Sequence, residues 1–160
     1  MEKFILQPIF NVRIQKPLFY EVLYRGQIPN DVLFYRTNEL LDMYLFNKAL
    51  AYLKTINFNN LYTLNITSAS LVKYFDKLYN VLSDKDNIYL ELLEKDINMY
   101  DSINSGFNKK IILDDFGSVL SNFDRIIHFK PFAVKFDKVM LNFGINFLTS
   151  LRQEFEGRNI

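Results

Sequence analysis

The chain of 160 residues contains no cysteine, no tryptophan and a single histidine. The absence of cysteine excludes disulfide bonds, thiolate zinc sites and cysteine nucleophiles. Any metal site or catalytic centre must therefore be built from oxygen ligands and from nitrogen. Net charge is also nearly absent, because 19 lysine and arginine residues face 18 aspartate and glutamate residues. Such a balance gives no broad field that would attract a nucleic acid polymer or an anionic membrane.

Long apolar runs are lacking as well. Val139 to Leu151 is free of charged residues but is interrupted by Asn142 and Asn146. It is also shorter than the ~20 apolar residues that cross a bilayer. The N-terminus places Glu2 beside Lys3 and has no apolar region of the kind found in signal peptides. We therefore expect no membrane insertion and a cytoplasmic location.

What the sequence does contain is material for a core, since 49% of the residues are hydrophobic and 16% are aromatic. This composition is typical of globular chains and not of disordered ones. The length falls within the ~100–200 residues of one domain. No repeat or linker divides the chain, and we predict a single domain over residues 1–160.

The first third predicts a hairpin followed by a helix. Phe4 to Val12 and Leu18 to Arg25 have the composition of strands, and the short connection between them favours antiparallel pairing. Thr37 to Thr55 has the spacing of an amphipathic helix, with Thr37 or Asn38 as its N-cap. The positions predicted to face the core are Leu41, Tyr44, Leu45, Lys48 and Leu53, of which Lys48 fits imperfectly.

The rest of the chain alternates short apolar runs with stretches of helical period, which is typical of α/β units. Strands are predicted at Leu61 to Ile66, Ile88 to Leu93, Lys110 to Leu113 and Ala133 to Phe136. Helices are predicted from the Thr67-Ser68 cap through Leu71, Phe75, Leu78 and Leu82, at Asp96 to Phe107, at Ser121 to Phe129 and at Leu141 to Phe155.

Polar residues recur at the ends of the predicted strands. The carboxyl ends of parallel strands gather on one face of a sheet or barrel, so these side chains are predicted to meet. Crowded carboxylates repel one another unless a cation neutralises them, and an all-oxygen set suits Mg²⁺, Mn²⁺ or Ca²⁺. Two such ions favour phosphodiester hydrolysis. The residues are Glu21, Asn65, Glu91, Asp114, Asp115 and Lys135.

Six short segments follow one another along the chain: Gln7-Pro8-Ile9, Glu21-Val22-Leu23-Tyr24-Arg25, Leu64-Asn65-Ile66-Thr67, Glu91-Leu92-Leu93-Glu94, Asp114-Asp115-Phe116-Gly117 and Lys135-Phe136-Asp137. In this order they resemble the motifs of the EAL domain family, (βα)8-barrel phosphodiesterases that hydrolyse cyclic di-GMP to linear pGpG. The resemblance implies a TIM-barrel-like α/β fold.

The resemblance also implies a role for each matched residue. Lys135 would position the nucleophilic water, and Glu94 would anchor the loop that follows Asp115. Gln7 and Arg25 would contact the guanine and phosphate of cyclic di-GMP, and Asp137 would lie near the ligand. The implied ligands of Mg²⁺ or Mn²⁺, bound as one ion or two, are Glu21, Asn65, Glu91, Asp114 and Asp115.

The sequence departs from the family pattern in several places. Tyr24 replaces a leucine beside the ligand, and Ser118 to Asn122 replaces a loop that carries a glycine, which removes backbone freedom there. A later Glu-Gly-Val-Glu metal motif has no counterpart before Ile160. We therefore expect an incomplete barrel that lacks the last strand-helix units, with exposed sheet edges closed by a homodimer contact or a partner domain.

These departures leave two functions open. In the first, the chain hydrolyses cyclic di-GMP in a metal-dependent reaction. In the second, it is a degenerate EAL domain that binds cyclic di-GMP or a protein partner as a regulatory module without turnover.

Overall fold

The structure is a computed structural model that describes residues 3–11, 13–29, 32–33, 38–56, 59–93, 105–117, 126 and 130–157. Six strands form one sheet, and four α-helices and two 3₁₀ helices connect or flank them in the described ranges. The strands are β1 (Lys3–Phe10), β2 (Pro17–Arg25), β3 (Leu61–Thr67), β4 (Ile88–Leu93), β5 (Ile111–Phe116) and β6 (Ala133–Phe136). The α-helices are α1 (Glu39–Leu53), α2 (Ser68–Lys73), α3 (Phe75–Leu82) and α4 (Ile145–Gly157), and the 3₁₀ helices are Ser105–Lys110 and Lys138–Phe143.

The strands lie side by side in the order in which they occur along the chain. β1 pairs antiparallel with β2, which confirms the predicted hairpin, and every later pair is parallel. Parallel neighbours require a crossover segment between them, and α1 to α3 provide the first two crossovers. The carboxyl ends of β2 to β6 consequently lie along one edge of the sheet.

β5 is longer than the sequence predicts. The run of apolar residues ends at Leu113, but the strand continues through Asp114 and Asp115 to Phe116. The pairing with β6 shifts register between Leu113 and Phe116, and Asp115 has a φ of 53°. This irregularity lets the strand include two adjacent acidic residues that the sequence pattern places just after its end.

α1 forms as predicted but turns a different face to the core. Its N-terminus is capped by Asn38, whose side chain accepts a hydrogen bond from the Leu41 N–H at 3.0 Å. The predicted core positions Tyr44 and Lys48 are exposed, whereas Leu53 is buried as expected. The side chains that α1 buries are Asp42, Met43, Phe46, Ala49 and Leu53.

The predicted helix after Thr67 is in fact two helices. The backbone leaves the helical region at Tyr74, with φ −114° and ψ 24°, and separates α2 from α3. Thr67 caps α2 as predicted, because its hydroxyl accepts a hydrogen bond from the Ser70 N–H at 3.3 Å. Leu71 and Leu78 are fully buried on either side of the break, so the apolar spacing reflects burial rather than one continuous helix.

The last helix starts later than predicted. Gly144, with a φ of 83°, lies between the 3₁₀ helix and α4, which begins at Ile145 instead of Leu141.

Within the described ranges, no helix has the length and apolar character needed to cross a membrane. The predicted helix over 96–107 lies outside the described residues except for its last three positions, which are part of a 3₁₀ helix, and the one over 121–129 lies outside except for Ile126.

Side chains alternate between the two faces of the sheet, and both faces bury apolar groups. The outer face packs against the helices, with Leu64, Leu90 and Leu113 in the main core. The inner face carries a smaller cluster around Phe19, whose ring lies edge-on to Tyr89 at 5.2 Å. We call one row of this cluster the apolar layer, which consists of Phe19, Leu61, Tyr89, Ile112 and Ala133.

Candidate functional site

A second row of side chains lies on the inner face, two residues further along each strand than the apolar layer. Because side chains alternate, a step of two residues stays on the same face and moves toward the carboxyl end of the strand. We call this row the polar layer. It consists of Glu21, Thr63, Glu91, Asp114 and Lys135, one residue from each of β2 to β6.

Lys135 lies at the centre of the polar layer. Its ammonium nitrogen is 3.0 Å from Glu21 Oε2 and 3.0 Å from Asp114 Oδ1, and it also forms an ion pair with Glu91 Oε1. Glu91 is fully buried, and Glu21 and Asp114 are each only 7% exposed. Three carboxylates from three strands therefore converge on one cation in a place largely shielded from water.

The two glutamates are held by a different donor at each oxygen. Thr63 donates its hydroxyl hydrogen to Glu91 Oε2 at 2.8 Å, while Lys135 contacts Oε1. Asn65 donates from Nδ2 to Glu21 Oε1 at 2.8 Å, while Lys135 donates to Oε2 at 3.0 Å. Since both oxygens of each carboxylate are engaged, neither side chain is free to rotate about its last torsion.

The close packing of charges shifts two pKa values. Burial, together with the neighbouring carboxylates of Asp114 and Glu21, raises the pKa of Glu91 to about 8, and Lys135 opposes the shift. For Lys135, burial lowers the pKa, but the carboxylates of Glu91, Asp114 and Glu21 more than offset this and raise it above its ordinary value. At neutral pH the lysine is thus charged, and burial beside two further carboxylates disfavours the ionised form of Glu91.

The donor set fits a hard divalent cation. Within the described residues, no three acidic or imidazole side chains form a ready-made cage for a metal ion, because the carboxylates converge on the Lys135 ammonium. Yet one ammonium cannot balance three carboxylates, and oxygen donors are those that Mg²⁺, Mn²⁺ and Ca²⁺ prefer. Asn65 Oδ1 adds a buried acceptor that has no hydrogen-bond partner in the described part of the chain. Such an atom is costly unless a ligand uses it.

Asp115 lies beside the polar layer and is exposed. Its backbone N–H donates to Asp114 Oδ1 at 2.8 Å, so the pair is held together at the irregular end of β5. Gly117 follows with a φ of 97°, and a Cβ there would lie 2.3 Å from Met140 Sδ. Only glycine fits this position, which fixes where the chain leaves the acidic pair.

Gln7 and Arg25 flank the polar layer at the hairpin. Gln7 pairs in register with Glu21, so both side chains lie on the inner face. Arg25 is exposed, and its Nη1 donates to the Tyr24 carbonyl at 2.8 Å. Arg25, Tyr24 and Asn65 are among the residues that line a cavity of about 80 Å³ between the sheet and α1. The structure thus brings Arg25 and Asn65 to one cavity and Gln7 beside Glu21.

Asp137 has a structural task. Its Oδ1 accepts a hydrogen bond from the Val139 N–H at 2.7 Å and caps the following 3₁₀ helix, and its own N–H donates to the Phe116 carbonyl at 2.9 Å. These bonds tie the ends of β5 and β6 together. The predicted loop anchor Glu94 and the loop over 118–122 lie outside the described residues.

Sequence reasoning missed two buried residues near the site. Thr63 could have been found, because it lies two residues before Asn65 on the same strand and so shares its face. Asp42 was hidden by the wrong choice of the buried face of α1. It is 7% exposed, and its Oδ2 accepts hydrogen bonds from Thr67 and Ser70.

Comparison with known proteins gives a consistent picture. The family model described as EAL domain matches residues 3–149. The Bacillus subtilis YkuI protein, whose structure contains an EAL domain with c-di-GMP and calcium, is 23% identical with a TM-score of 0.69. Klebsiella pneumoniae BlrP1, in a complex with manganese and c-di-GMP, is 18% identical with a TM-score of 0.76. A standalone EAL protein of Vibrio cholerae O395, bound to c-di-GMP, is 21% identical with a TM-score of 0.73.

The likeness extends over nearly the whole chain but over only part of these proteins. The alignments cover 98%, 99% and 100% of this chain and 47%, 47% and 78% of the three neighbours, respectively. The chain therefore spans about half the length of the first two. A search of curated protein sequences finds no significant match. The shared fold confirms the predicted TIM-barrel-like α/β architecture, present as a curled half-barrel sheet with an N-terminal antiparallel hairpin.

Proposed function

The chain belongs to the EAL domain family, and from this premise we propose that it hydrolyses cyclic di-GMP to linear pGpG with a divalent metal ion. The observation that supports this most is the polar layer. Five consecutive strands each place one polar residue on the inner face, and three of these residues are buried carboxylates. A purely structural role would not require so much buried charge, because apolar residues fill such positions at lower cost.

The proposed metal ligands are Glu21, Asn65, Glu91, Asp114 and Asp115, and the proposed ion is Mg²⁺ or Mn²⁺, bound singly or as a pair. Calcium or manganese is present in the solved structures of two similar proteins. When bound, the metal would supply Lewis-acid polarisation of the phosphate and a bound water of lowered pKa. Asn65 Oδ1 supports this assignment, since it is a buried acceptor that lacks a partner among the described residues.

Lys135 is the proposed catalytic residue among the chain's own groups. Its ammonium is held by Glu21, Glu91 and Asp114 at the centre of the site and carries a raised pKa, so it stays charged. A fixed cation there orients the attacking water and stabilises negative charge that develops on the phosphate. Because the three carboxylates already hold the ammonium in place, it need not move during the reaction to fill these roles.

The remaining proposed roles concern substrate and loop. Arg25 lies at the exposed end of β2, beside the cavity that Asn65 also lines, and its guanidinium suits a phosphate oxygen. Gln7 would contact a guanine edge from the neighbouring strand, and Asp137 would lie near the ligand while it caps the 3₁₀ helix. Glu94 would anchor the loop after Asp115.

The test is a direct assay. The purified chain is incubated with cyclic di-GMP and Mn²⁺, and the nucleotides are separated by liquid chromatography. We expect pGpG from the wild type and none from Asp114→Asn, whereas Asp76→Asn on the exposed side of α3 should keep full activity. A folded sample that binds Mn²⁺ yet releases no linear product would overturn the proposal.

One observation favours a second function, regulatory binding without turnover. Residues Ser118 to Asn122 lack the glycine that the family has in the loop after the paired aspartates. Loss of this glycine removes backbone freedom from that part of the sequence. In this case calorimetry would detect binding of cyclic di-GMP while the assay above shows no product.

We also propose that the chain acts as one domain over residues 1–160 in the cytoplasm and that a second copy or a partner domain covers the open side of the half-barrel. β6 is the last strand in the sheet order, and Leu141 and Phe143 beside it are 66% and 62% exposed. Exposed sheet edges and apolar patches favour association. Light scattering during gel filtration would show a dimer, and a monomer at all concentrations would leave only the partner domain.

A further inference from the structure

We propose that Asp42 is a positioning residue that sets the orientation of Asn65 by clamping the junction between β3 and α2. The inference rests on the proposed function, because it assigns Asn65 a part in binding the metal. Asp42 itself lies on α1. Its bond to Thr67 links it to the strand that carries Asn65, and its bond to Ser70 links it to α2. It therefore acts through the backbone of β3.

The clamp is made by one carboxylate oxygen. Asp42 Oδ2 accepts hydrogen bonds from the Thr67 N–H at 3.1 Å, from the Thr67 hydroxyl at 2.6 Å and from the Ser70 hydroxyl at 2.6 Å. All three residues are buried, with Asp42 7%, Thr67 6% and Ser70 0% exposed. Hydrogen bonds to a buried carboxylate are shorter and stronger than those between neutral groups, so this link is stiff.

The junction itself has no loop. β3 ends at Thr67 and α2 begins at Ser68, so Thr67 is at once the last strand residue and the cap of the helix. Asn65 lies two residues earlier on the same strand, and its side chain donates to Glu21 on the inner face. Because only Ile66 separates the two residues, a shift of the Thr67 backbone would also move the backbone of Asn65.

The helix that carries Asp42 is held firmly in the core. The neighbouring positions Met43, Phe46 and Ala49 of α1 are buried in the main core, which fixes the helix against the sheet. Asn65 in turn donates to Glu21 Oε1, and its Oδ1 is a buried acceptor that has no partner in the part of the chain that the structure describes. Asp42, Thr67 and Asn65 thus form a path from the core to the polar layer.

A second contact between the same helices provides a matched control. Glu39 of α1 pairs with Lys73 of α2 at 3.6 Å, and the lysine is half exposed. Like Asp42, Glu39 is an acid that joins α1 to α2, but it does not reach β3. Glu39→Gln therefore removes a charge and a helix contact without touching the clamp.

The experiment compares Asp42→Ala, Asp42→Asn, Thr67→Val and Glu39→Gln in the full chain. The first readout is the side-chain amide signal of Asn65 in a ¹H–¹⁵N spectrum without metal, assigned by its loss in Asn65→Ala. The second is the dissociation constant for Mn²⁺, measured by electron paramagnetic resonance. Thermal unfolding is followed in parallel to check that each variant is folded.

We expect Asp42→Ala and Thr67→Val to move the Asn65 amide signal and to weaken Mn²⁺ binding by about 10–100-fold, as loss of a residue that supports a metal ligand typically does. Asp42→Asn keeps an oxygen acceptor and should restore most of the affinity. The double variant Asp42→Ala/Thr67→Val should be no worse than the more severe single change, since both break one link. Glu39→Gln should leave both readouts as in the wild type.

An unchanged Asn65 signal and an unchanged Mn²⁺ affinity in folded Asp42→Ala would overturn the inference. If that variant does not fold, Thr67→Val decides by the same criteria. A wild type that does not bind Mn²⁺ would instead count against the proposed function, and the metal-free Asn65 signal would still decide whether Asp42 positions this side chain. The two failures are therefore distinguishable.

Discussion

The apolar layer and the polar layer lie on the same strands and the same face, one alternation apart. In the apolar layer Phe19, Tyr89 and Ile112 pack as an ordinary core cluster. In the polar layer, two residues further on each strand, buried carboxylates surround an ammonium. The apolar layer stabilises the sheet by removing apolar surface from water. The polar layer instead places charged groups where they are shielded from water.

The difference teaches that stability and chemistry are separated along the strand direction in this sheet. In a parallel sheet, ligands bind at the carboxyl ends of the strands. The residues of the apolar layer, two positions earlier on each strand, support the site from beneath. Substitutions in the two layers should therefore give different signatures. Those in the polar layer should change activity, ion binding and pH dependence, and those in the apolar layer should change mainly the free energy of unfolding.

The largest effect is expected for Lys135→Met. This change leaves the buried carboxylates of Glu21, Glu91 and Asp114 without the cation that contacts them all. Removal of one partner from a buried ion pair costs about 3–5 kcal/mol. Urea unfolding in the presence of EDTA should show a loss of this size.

The matched control is Lys138→Met, which removes a lysine at an exposed position three residues further on. It should change the free energy of unfolding by less than about 0.5 kcal/mol. Equal losses in the two variants would show that the polar layer is not a balanced cluster of charges.

Glu21→Gln should have the next largest effect. It removes one proposed metal ligand and leaves the side chain's shape and its burial intact. We expect kcat/KM for cyclic di-GMP to fall at least about a hundredfold, which corresponds to about 2.7 kcal/mol of transition-state stabilisation. Phe19→Leu, one alternation below on β2, should lower stability by about 1–2 kcal/mol and leave kcat/KM within a few-fold. Loss of activity in both variants to the same degree would break the distinction between the layers.

The pH dependence of the metal-free chain gives a third test. The pKa of Glu91 is raised in the folded state from an ordinary value of 4.5 to about 8. Between these two values the folded chain binds a proton that the unfolded chain has lost, so stability falls as pH rises through this window. The slope is at most about 1.4 kcal/mol per pH unit.

Melting temperatures in EDTA should consequently decrease from pH 5.5 to pH 8.0, and Glu91→Gln should flatten this part of the profile. Glu156→Gln, at an exposed position of α4, makes the same chemical change outside the site and should leave the slope as in the wild type. A wild-type melting temperature that rises with pH over this range would contradict the raised pKa.

The smallest effect is expected for Ile112→Val in the apolar layer. Loss of one methylene group from a well-packed site costs about 0.5–1.5 kcal/mol. The Mn²⁺ dissociation constant should stay within twofold, because the side chains of the polar layer keep their places. A tenfold weaker affinity in this variant would mean that the apolar layer controls Mn²⁺ binding as strongly as the polar layer does.

The site was more predictable from the sequence than the packing around it. Glu21, Asn65, Glu91, Asp114 and Lys135 each follow a short apolar run, and alternation with parallel pairing is enough to bring them together. In a strand, side chains alternate between the two faces with a period of two that the backbone fixes, so the face on which each residue lies can be predicted from the sequence. Thr63 obeys the same rule and could have been predicted with them.

Helix packing was less predictable because it depends on tertiary contacts. Residues 41, 44, 45 and 48 of α1 have a helical spacing as good as that of the buried residues 42, 46, 49 and 53, and only the sheet decides between them. The polar Asp42 argued against the correct face until its partners Thr67 and Ser70 were known. The break at Tyr74 and the irregular end of β5 are likewise backbone responses to packing, for which the apolar pattern has no signal.

The parallel register of β2 to β6 has a consequence for folding. A strand that paired one residue out of register would turn its polar-layer side chain toward the helices and place a leucine or valine neighbour on the inner face. For β4, this would turn the Glu91 carboxylate toward Leu64, Leu113 and the helices that cover them, away from the Lys135 ammonium. The charged residues thus penalise misaligned sheets, and the same side chains proposed for catalysis help the chain to reject wrong pairings while it folds.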